Sequence, residues 1–275
     1  MSEVSVLDGA RRIEDAFAAA RTEGRAALVV YLTAGYPDPA TSRACIEAAV
    51  EAGADVVEVG LPFSDPMMDG PVIQRANQHV LDAGLGLSGQ LEVAASLDVE
   101  VPRLAMTYVT IVDRRGWERF AAEAAEAGLS GVILPDLPAP EAGPWLEAAR
   151  DHGLATVFLA SSVSSDERLD EIAERSSGFV YATGLLGVTG VKDVAQDEAQ
   201  GLVARLRERT TTPVAVGIGV KDRASAAAVA AYADGVIVGS SIIRAMGEGP
   251  ASEAPDRVAA LVRELRAGVA DVARA

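Results

Sequence analysis

Cysteine, lysine and aromatic residues are scarce in this sequence of 275 residues. The single cysteine, Cys45, lies in the helical pattern TSRACIEAAVEAG, whose spacing points it at a core. Neither a disulfide framework nor a zinc site can be built from one thiol. Together with an N-terminus that lacks the apolar segment of an export signal, this predicts a cytoplasmic protein in a reducing compartment. No apolar run reaches the roughly 18 to 20 residues of a membrane span, so we expect no membrane insertion.

Positive charge is also in short supply. The chain has 24 Lys and Arg against 40 Asp and Glu, which gives a net charge of -16. Lys192 and Lys221 are the only lysines. This balance argues against a non-specific surface for nucleic acid or anionic lipid, so an anionic substrate would be held mainly by backbone amides. His79 and His152 have no second metal-type ligand at a suitable spacing, so no metal site is predicted.

Short apolar runs alternate with Ala-rich amphipathic stretches along the chain. The predicted strands are AALVVYL (26–32), ADVVEV (54–59), RLAMTYV (103–109), SGVILP (130–135), ATVFLA (155–160), GFVYAT (178–183), PVAVGI (213–218) and DGVIVG (234–239). Strands that are apolar on nearly every residue are typical of a parallel sheet with a covered outer face.

These eight units, with a leading helix near 8–23 and a closing helix near 255–271, predict an α/β fold. We expect one domain over residues 1–275, a (β/α)8 or TIM barrel with an extra N-terminal helix. An open doubly wound sheet is the alternative. It lacks support because YLTAGYPDPA, after the first strand, has the wrong spacing for a dinucleotide-binding glycine fingerprint.

Acidic side chains concentrate in EVGLPFSDPMMDGP, which follows the second strand. Glu58 ends an apolar run, and in a barrel it would point into the interior or the mouth, where burial raises a carboxyl pKa. A structural acid, satisfied by backbone groups or by a tyrosine, is the alternative for this residue. Prolines stiffen the loop beyond it. We assign a function to Asp69 and a turn-capping role to Asp65.

Glycines follow the last two strands, in VGIGV and VGSSIIRAM. Backbone amides of such loops, with a helix N-terminus, commonly bind phosphate at the mouth of a barrel. The candidates are Gly217, Gly219, Gly239 and Ser240, although glycines that simply form tight turns give the same pattern. After strand six, the loop GLLGVTGVKD could close over a ligand with Thr189 as its polar tip; a mobile surface loop is equally compatible.

Taken together, these motifs resemble the tryptophan synthase α chain family over essentially the whole chain. The family pattern E-x-G-x-P-[FY]-S-D-P-x-x-D-G-P is met from Glu58 to Pro71, GVTG stands at 187–190, and the GIG and GSS pair follows. The resemblance implies a lyase of tryptophan biosynthesis. Such an enzyme cleaves indole-3-glycerol phosphate by retro-aldol chemistry to indole and glyceraldehyde 3-phosphate.

The resemblance also implies a role for each matching residue. Glu58 is the acid/base that protonates indole C3 and takes the proton of the glycerol hydroxyl, and Asp69 is an ionised carboxylate near indole N1–H. The implied substrate-binding residues are Tyr31, Tyr108, Tyr181 and Thr189. Phosphate is implied to rest on the backbone amides of Gly190, Gly219, Gly239 and Ser240.

No cofactor is implied on this chain. The expected partner is a pyridoxal-phosphate β chain that receives the indole, in an α2β2 tetramer. Two departures from the family pattern concern the mouth of the barrel. MTYVTIVDRRG replaces the common M-x-Y-x-N-P, with Thr110 and Ile111 in place of Asn and Pro, and Gly184 and Leu185 stand where Ser-Arg is frequent.

Three functional hypotheses follow. The first is the α chain of tryptophan synthase. The second, motivated by the altered MTYVTIVDRRG segment, is a stand-alone paralogue that releases free indole. The third is a non-catalytic subunit that activates a partner allosterically, against which the presence of both Glu58 and Asp69 argues.

Overall fold

The computed structural model describes residues 8–184 and 192–271, with side chains for 9–184 and 196–271. All strands in this part of the chain belong to one sheet. They are β1 (Ala27–Thr33), β2 (Val56–Gly60), β3 (Arg103–Met106), β4 (Gly131–Ile133), β5 (Ala155–Val157), β6 (Leu159–Ser161), β7 (Val180–Thr183), β8 (Val214–Gly217) and β9 (Gly235–Val238).

Helices separate all successive strands except β5 and β6, and short 3-10 turns lie at Ala139–Glu141 and Ala251–Glu253. The α-helices are α1 (Asp8–Thr22), α2 (Pro39–Glu51), α3 (Pro71–Asp82), α4 (Leu87–Ala95), α5 (Val109–Arg115), α6 (Trp117–Glu126), α7 (Gly143–Asp151), α8 (Asp166–Arg175), α9 (Lys192–Arg207), α10 (Arg223–Ala230), α11 (Ser240–Gly247) and α12 (Ala254–Ala270). Among these described helices, none combines the length and the apolar character that crossing a membrane requires.

The sheet closes on itself through its fifth predicted strand. Strand order is β5-β4-β3-β2-β1-β9-β8-β7-β6, and every pairing is parallel. Phe158 alone separates β5 from β6, so the two ends of this order are halves of one strand. The first half pairs with β4 and the second with β7. The predicted (β/α)8 barrel with a leading helix is therefore confirmed.

Helix α1 covers the amino ends of the strands. Ile13 and Phe17 of this helix are buried in a cluster with Val29, Leu104 and other apolar residues of the barrel interior. The ring of Phe17 stacks on Phe179, just before β7, with 5.5 Å between centroids. Because this end is packed, the opposite end, where the strands finish, is the one left open for a ligand.

The third strand is shorter than predicted, because it ends at Met106 rather than at 109. Tyr108 is the N-cap of α5, and the backbone N–H of Val109 donates to a carboxylate oxygen of Asp136 at 3.0 Å. A carboxylate at the start of a helix accepts a hydrogen bond from a free backbone N–H and interacts favourably with the positive end of the helix dipole. The chain therefore leaves the sheet early, and MTYVTIVDRRG is largely helical.

Candidate active site

The carboxyl ends of the strands surround a cavity of about 230 Å³. The sequence-predicted site residues that line it are Tyr31, Glu58, Asp69, Tyr181, Gly217, Gly219, Gly239 and Ser240. These residues come from five strands and the loops that follow them, so the barrel brings together what the chain separates. This is the end at which barrel enzymes carry their chemistry.

Glu58 lies in the middle of β2, where the parallel register sets it beside Tyr31 of β1 and Leu104 of β3. It is 1 % exposed, and its Oε1 has no hydrogen-bond partner among the described residues. Burial without a compensating donor disfavours the charged form and raises the pKa of Glu58 to about 8. The carboxyl group is therefore mainly protonated at neutral pH and can act as an acid.

Asp69 has a different environment, half-buried in the loop between β2 and α3. Partial burial raises its pKa to about 6, while hydrogen bonds from Asn77 and Tyr108 oppose that rise. The Nδ2 amide of Asn77 donates to Oδ2 of Asp69 at 3.1 Å. At neutral pH the cavity thus holds one mainly neutral and one mainly ionised carboxyl group, and acid and base tasks can be divided between such a pair.

Two tyrosines line the cavity beside these acids. Burial, together with the nearby carboxyl groups of Glu58 and Asp69, raises the pKa values of Tyr31 and Tyr181 well above the ordinary range. Both hydroxyls stay protonated and can donate hydrogen bonds. A Cβ atom at Gly60 would overlap the Tyr31 hydroxyl, and one at Gly217 would lie 2.5 Å from the Tyr181 hydroxyl. Only glycine leaves room for the two rings.

Tyr108 supports the loop that carries Asp69 and is not among the residues that line the cavity. The backbone N–H of Met68 donates to its hydroxyl at 3.0 Å, and its ring lies 5.2 Å from that of Phe63. Its hydroxyl also lowers the pKa of Asp69 through a side-chain hydrogen bond. The structure therefore places Tyr108 behind the acid, where it orients the loop.

The glycine-rich loops after β8 and β9 form one wall of the cavity. Gly219 has a φ of 55°, a left-handed conformation that favours glycine. Gly239 is the N-cap of α11 and Ser240 is its first residue, so free backbone N–H groups are available there for an anion. The two loops are tied together because the Ser241 hydroxyl donates to the Val220 carbonyl at 2.9 Å. Thr189 and Gly190, predicted to complete this site, lie outside the described residues.

Apolar side chains that the sequence did not single out complete the cavity. They are Met68, Ile73, Met106, Ile218, Val220 and Ile237. The sequence does not distinguish these residues, because apolar residues that line a cavity have the same pattern as those buried in the barrel core. Met68 lines the cavity, whereas its neighbour Met67 is 78 % exposed. The cavity therefore combines backbone amides that can bind an anion with apolar surface suited to a flat ring.

Asn77 is a second residue that the sequence did not reveal. It is buried in α3, eight positions after Asp69 in the chain, and a single asparagine in a helix gives no hint of such a contact. Over the described part of the chain, no group of three or more His, Cys, Asp or Glu residues could hold a metal ion.

The fold and the cavity define a class of protein. A closed (β/α)8 barrel with two carboxyl groups of unlike pKa at its mouth, facing an amide-lined anion site, is typical of an enzyme that moves protons on a small anionic substrate. The particular family follows from comparison with known proteins.

A sequence model described as "Tryptophan synthase alpha chain" matches residues 17–271. The tryptophan synthase alpha chain of Streptomyces coelicolor is 48% identical over 264 residues, 95% of each chain, and that of Nocardia farcinica is 45% identical over 259 residues, 94% of this chain and 96% of the other. Tryptophan synthase from M. tuberculosis, in ligand-free form, has a chain that superposes with a TM-score of 0.86 at 42% identity, covering 94% of this chain and 99% of that one.

The chain belongs to the tryptophan synthase α chain family, and the resemblance seen in the sequence is confirmed. Members of this family are lyases of tryptophan biosynthesis that cleave indole-3-glycerol phosphate. The family spans nearly the whole chain, including the loops that line the cavity.

Proposed function

We propose that this chain cleaves indole-3-glycerol phosphate to indole and glyceraldehyde 3-phosphate with the residues of the cavity described above. The observation that carries the proposal is the pairing, in one cavity, of a neutral, dry Glu58 with an ionised, hydrogen-bonded Asp69. Each carboxyl group has the protonation state that its step in a retro-aldol cleavage needs.

Glu58 serves as acid and then as base. Its proton goes to indole C3, which gives a cationic ring, and the bond between C3 and the hydroxyl-bearing glycerol carbon then breaks. The bonding electrons return to the ring, and the proton of the glycerol hydroxyl passes to the Glu58 carboxylate as the aldehyde forms. The Glu58 acid is regenerated and the step balances, since one proton has moved from the glycerol hydroxyl oxygen to indole C3 while the C–C bond has become the C=O bond of the aldehyde. A pKa of about 8 keeps Glu58 mainly protonated at neutral pH, ready to donate its proton.

Asp69 stabilises the intermediate. Protonation of C3 places positive charge on the indole nitrogen, and an ionised carboxylate near N1–H lowers the energy of that state more than that of the neutral substrate. The hydrogen bonds to Asn77 and Tyr108 oppose protonation of Asp69 and keep it in the useful form. Tyr31 and Tyr181, held protonated beside both acids, position the substrate.

The phosphate group of the substrate binds to backbone amides of the loops after β8 and β9. Gly219, Gly239 and Ser240 line that side of the cavity, and the start of α11 favours negative charge. We keep Gly190 and Thr189 in the proposal as further contacts. The indole ring packs against apolar residues of the cavity, which include Met106.

The partner we propose is a tryptophan synthase β chain in an α2β2 tetramer. The solved structures that resemble this chain include tryptophan synthase from M. tuberculosis, in ligand-free and aminoacrylate-bound forms, which supports a β partner. We propose that pyridoxal phosphate belongs to that partner and that this chain needs no cofactor, since its own carboxyl groups supply both proton transfers. A cytoplasmic location and a single domain complete the proposal, in keeping with one free, buried cysteine and one sheet.

The function is tested by adding indole-3-glycerol phosphate to the purified chain and measuring indole, with and without a β chain. We expect slow cleavage by the chain alone and strong activation by the β chain. Absence of indole under both conditions would refute the activity. Rapid cleavage that no β chain changes would instead refute the partner and leave a stand-alone indole-releasing enzyme.

A further inference from the structure

A buried amide on helix α3 contacts one of the two acids. Asn77 is 3 % exposed, and its Nδ2 donates to Oδ2 of Asp69 at 3.1 Å. Asn77 does not line the cavity, so it touches a substrate only through Asp69. We propose that Asn77 is a positioning residue, whose amide fixes the direction in which the Asp69 carboxylate points into the cavity. This rests on the proposed function, because Asp69 is there the group that faces indole N1–H.

The loop before α3 leaves the direction of the Asp69 side chain to its hydrogen bonds. The backbone of Asp69 is fixed, since its N–H donates to the Pro66 carbonyl at 3.1 Å and its own carbonyl accepts from Gln74 Nε2 at 2.9 Å. The side chain, in contrast, is half-buried and contacts the hydroxyl of Tyr108 and the amide of Asn77. Of these two groups, Tyr108 also accepts from Met68 and serves the loop. Asn77 is the one dedicated to the carboxylate.

The amide is poorly suited to a purely structural role. Its Oδ1 is buried and has no hydrogen-bond partner among the described residues. A buried acceptor without a partner costs about 1–3 kcal/mol, and an apolar side chain of the same size would avoid that cost. Asn77 therefore stabilises the fold less than a leucine at this position would. It does, however, donate a hydrogen bond to Asp69, which leucine cannot.

The same contact favours the ionised form of Asp69, since a donated hydrogen bond stabilises a carboxylate. The pKa of Asp69 is already raised to about 6 by burial, and the Asn77 bond opposes that rise. In the described part of the chain, the other ionisable groups facing Asp69 are Tyr31, Tyr108 and Tyr181, all neutral, and Glu58 across the cavity. None of them supplies a positive charge. Loss of the amide should leave Asp69 both misdirected and more readily protonated.

The first test is a titration that needs no substrate. Protein labelled with ¹³C in the Asp carboxyl groups is titrated by NMR, with the Asp69 signal assigned from its loss in Asp69→Asn. In Asn77→Leu the midpoint of Asp69 should move upward from about 6, and in Asn77→Ser, which keeps a donor, it should move less. Gln78→Leu, an exposed neighbour on the same helix, is the control and should leave it unchanged.

Steady-state cleavage of indole-3-glycerol phosphate is the second test. In Asn77→Leu kcat should fall about tenfold or more, as expected when a reacting group is misplaced, with KM nearly unchanged and the acid limb of the pH profile displaced upward. Its free energy of unfolding should equal or exceed that of the wild type. A midpoint and a kcat both like those of the wild type would overturn the proposal, and so would a fall in activity that only follows lost stability. If the wild type releases no indole, the proposed function fails, while the titration still decides whether Asn77 governs Asp69.

Discussion

Replacing Glu58 with glutamine should stabilise the protein while it abolishes cleavage. The neutral amide has nearly the shape of the protonated carboxyl group, so the packing inside the barrel is retained. Glu58 is 1 % exposed, and burial raises its pKa from 4.5 to about 8. The folded chain thus holds a proton that the unfolded chain releases. The wild type has its full stability below pH 4.5 and loses part of it as pH rises through about 8.

The size of the effect follows from these two pKa values, at about 1.4 kcal/mol for each pH unit between them. The cost of keeping Glu58 neutral is about 1 kcal/mol at pH 5, about 3 kcal/mol at pH 7 and about 4 kcal/mol at pH 8. Glutamine carries no such cost at any pH. The advantage of Glu58→Gln over the wild type should therefore grow by about 3 kcal/mol from pH 5 to pH 8.

Urea denaturation of both proteins at pH 5 and pH 8 measures this difference. Glu51→Gln, at an exposed position on α2, is the control and should show the same advantage, if any, at both pH values. Indole release by Glu58→Gln should fall by about 10²–10⁴-fold or more, the usual contribution of a general acid–base group. A pH-independent difference in stability would refute the buried, neutral state of Glu58. Retained turnover would refute its catalytic role.

Three further predictions concern the rest of the cavity. The kcat/KM of the wild type should decrease at pH values below about 6, where Asp69 gains a proton, and at pH values above about 8, where Glu58 loses one. A kcat/KM that still rises at pH 9 would contradict this assignment. Gly60→Ala should cost about 1–3 kcal/mol in urea denaturation because the new methyl group overlaps Tyr31; combining it with Tyr31→Ala should cost less than the sum, and strict additivity would argue against the collision. Ser240→Asp, which adds a carboxylate at the start of α11, should raise KM about tenfold or more, and an unchanged KM would place the phosphate elsewhere.

Much of the fold was predictable because each strand has a local sequence pattern of its own. A parallel strand in a barrel is covered on both faces, so its residues are apolar almost throughout, and the amphipathic helices between the strands follow the 3.6-residue period. The eight runs were found for that reason, and the leading and closing helices agree with α1 and α12 to within a residue. The strand ends were less well predicted. The third strand ends early because Asp136, distant in sequence, accepts from the backbone of Val109.

The candidate site was predictable where a motif joins residues within one loop. Glu58 and Asp69 belong to a single stretch of 14 residues, Glu58 to Pro71, and the glycines after β8 and β9 belong to short, recognisable turns. Contacts between separate elements were not predictable in this way. Nothing in the sequence distinguishes Asn77 from other helical asparagines, and the contacts of the Tyr108 hydroxyl with Met68 and Asp69 appear only in the structure.

The sequence by itself thus determined the barrel, the loop with its two acids and the family. Hydrophobic period, turn residues and motif spacing are local properties of a chain. Only the tertiary structure decided which carboxyl group is neutral and which is ionised. That difference depends on solvent exclusion and on hydrogen-bond donors brought from separate elements. Glu58 is enclosed in the barrel, and its Oε1 has no donor among the residues that the structure describes, whereas Asp69 receives a hydrogen bond from α3. The free energy of a charge is set by the groups around it in space, and those are known only once the chain has closed around it.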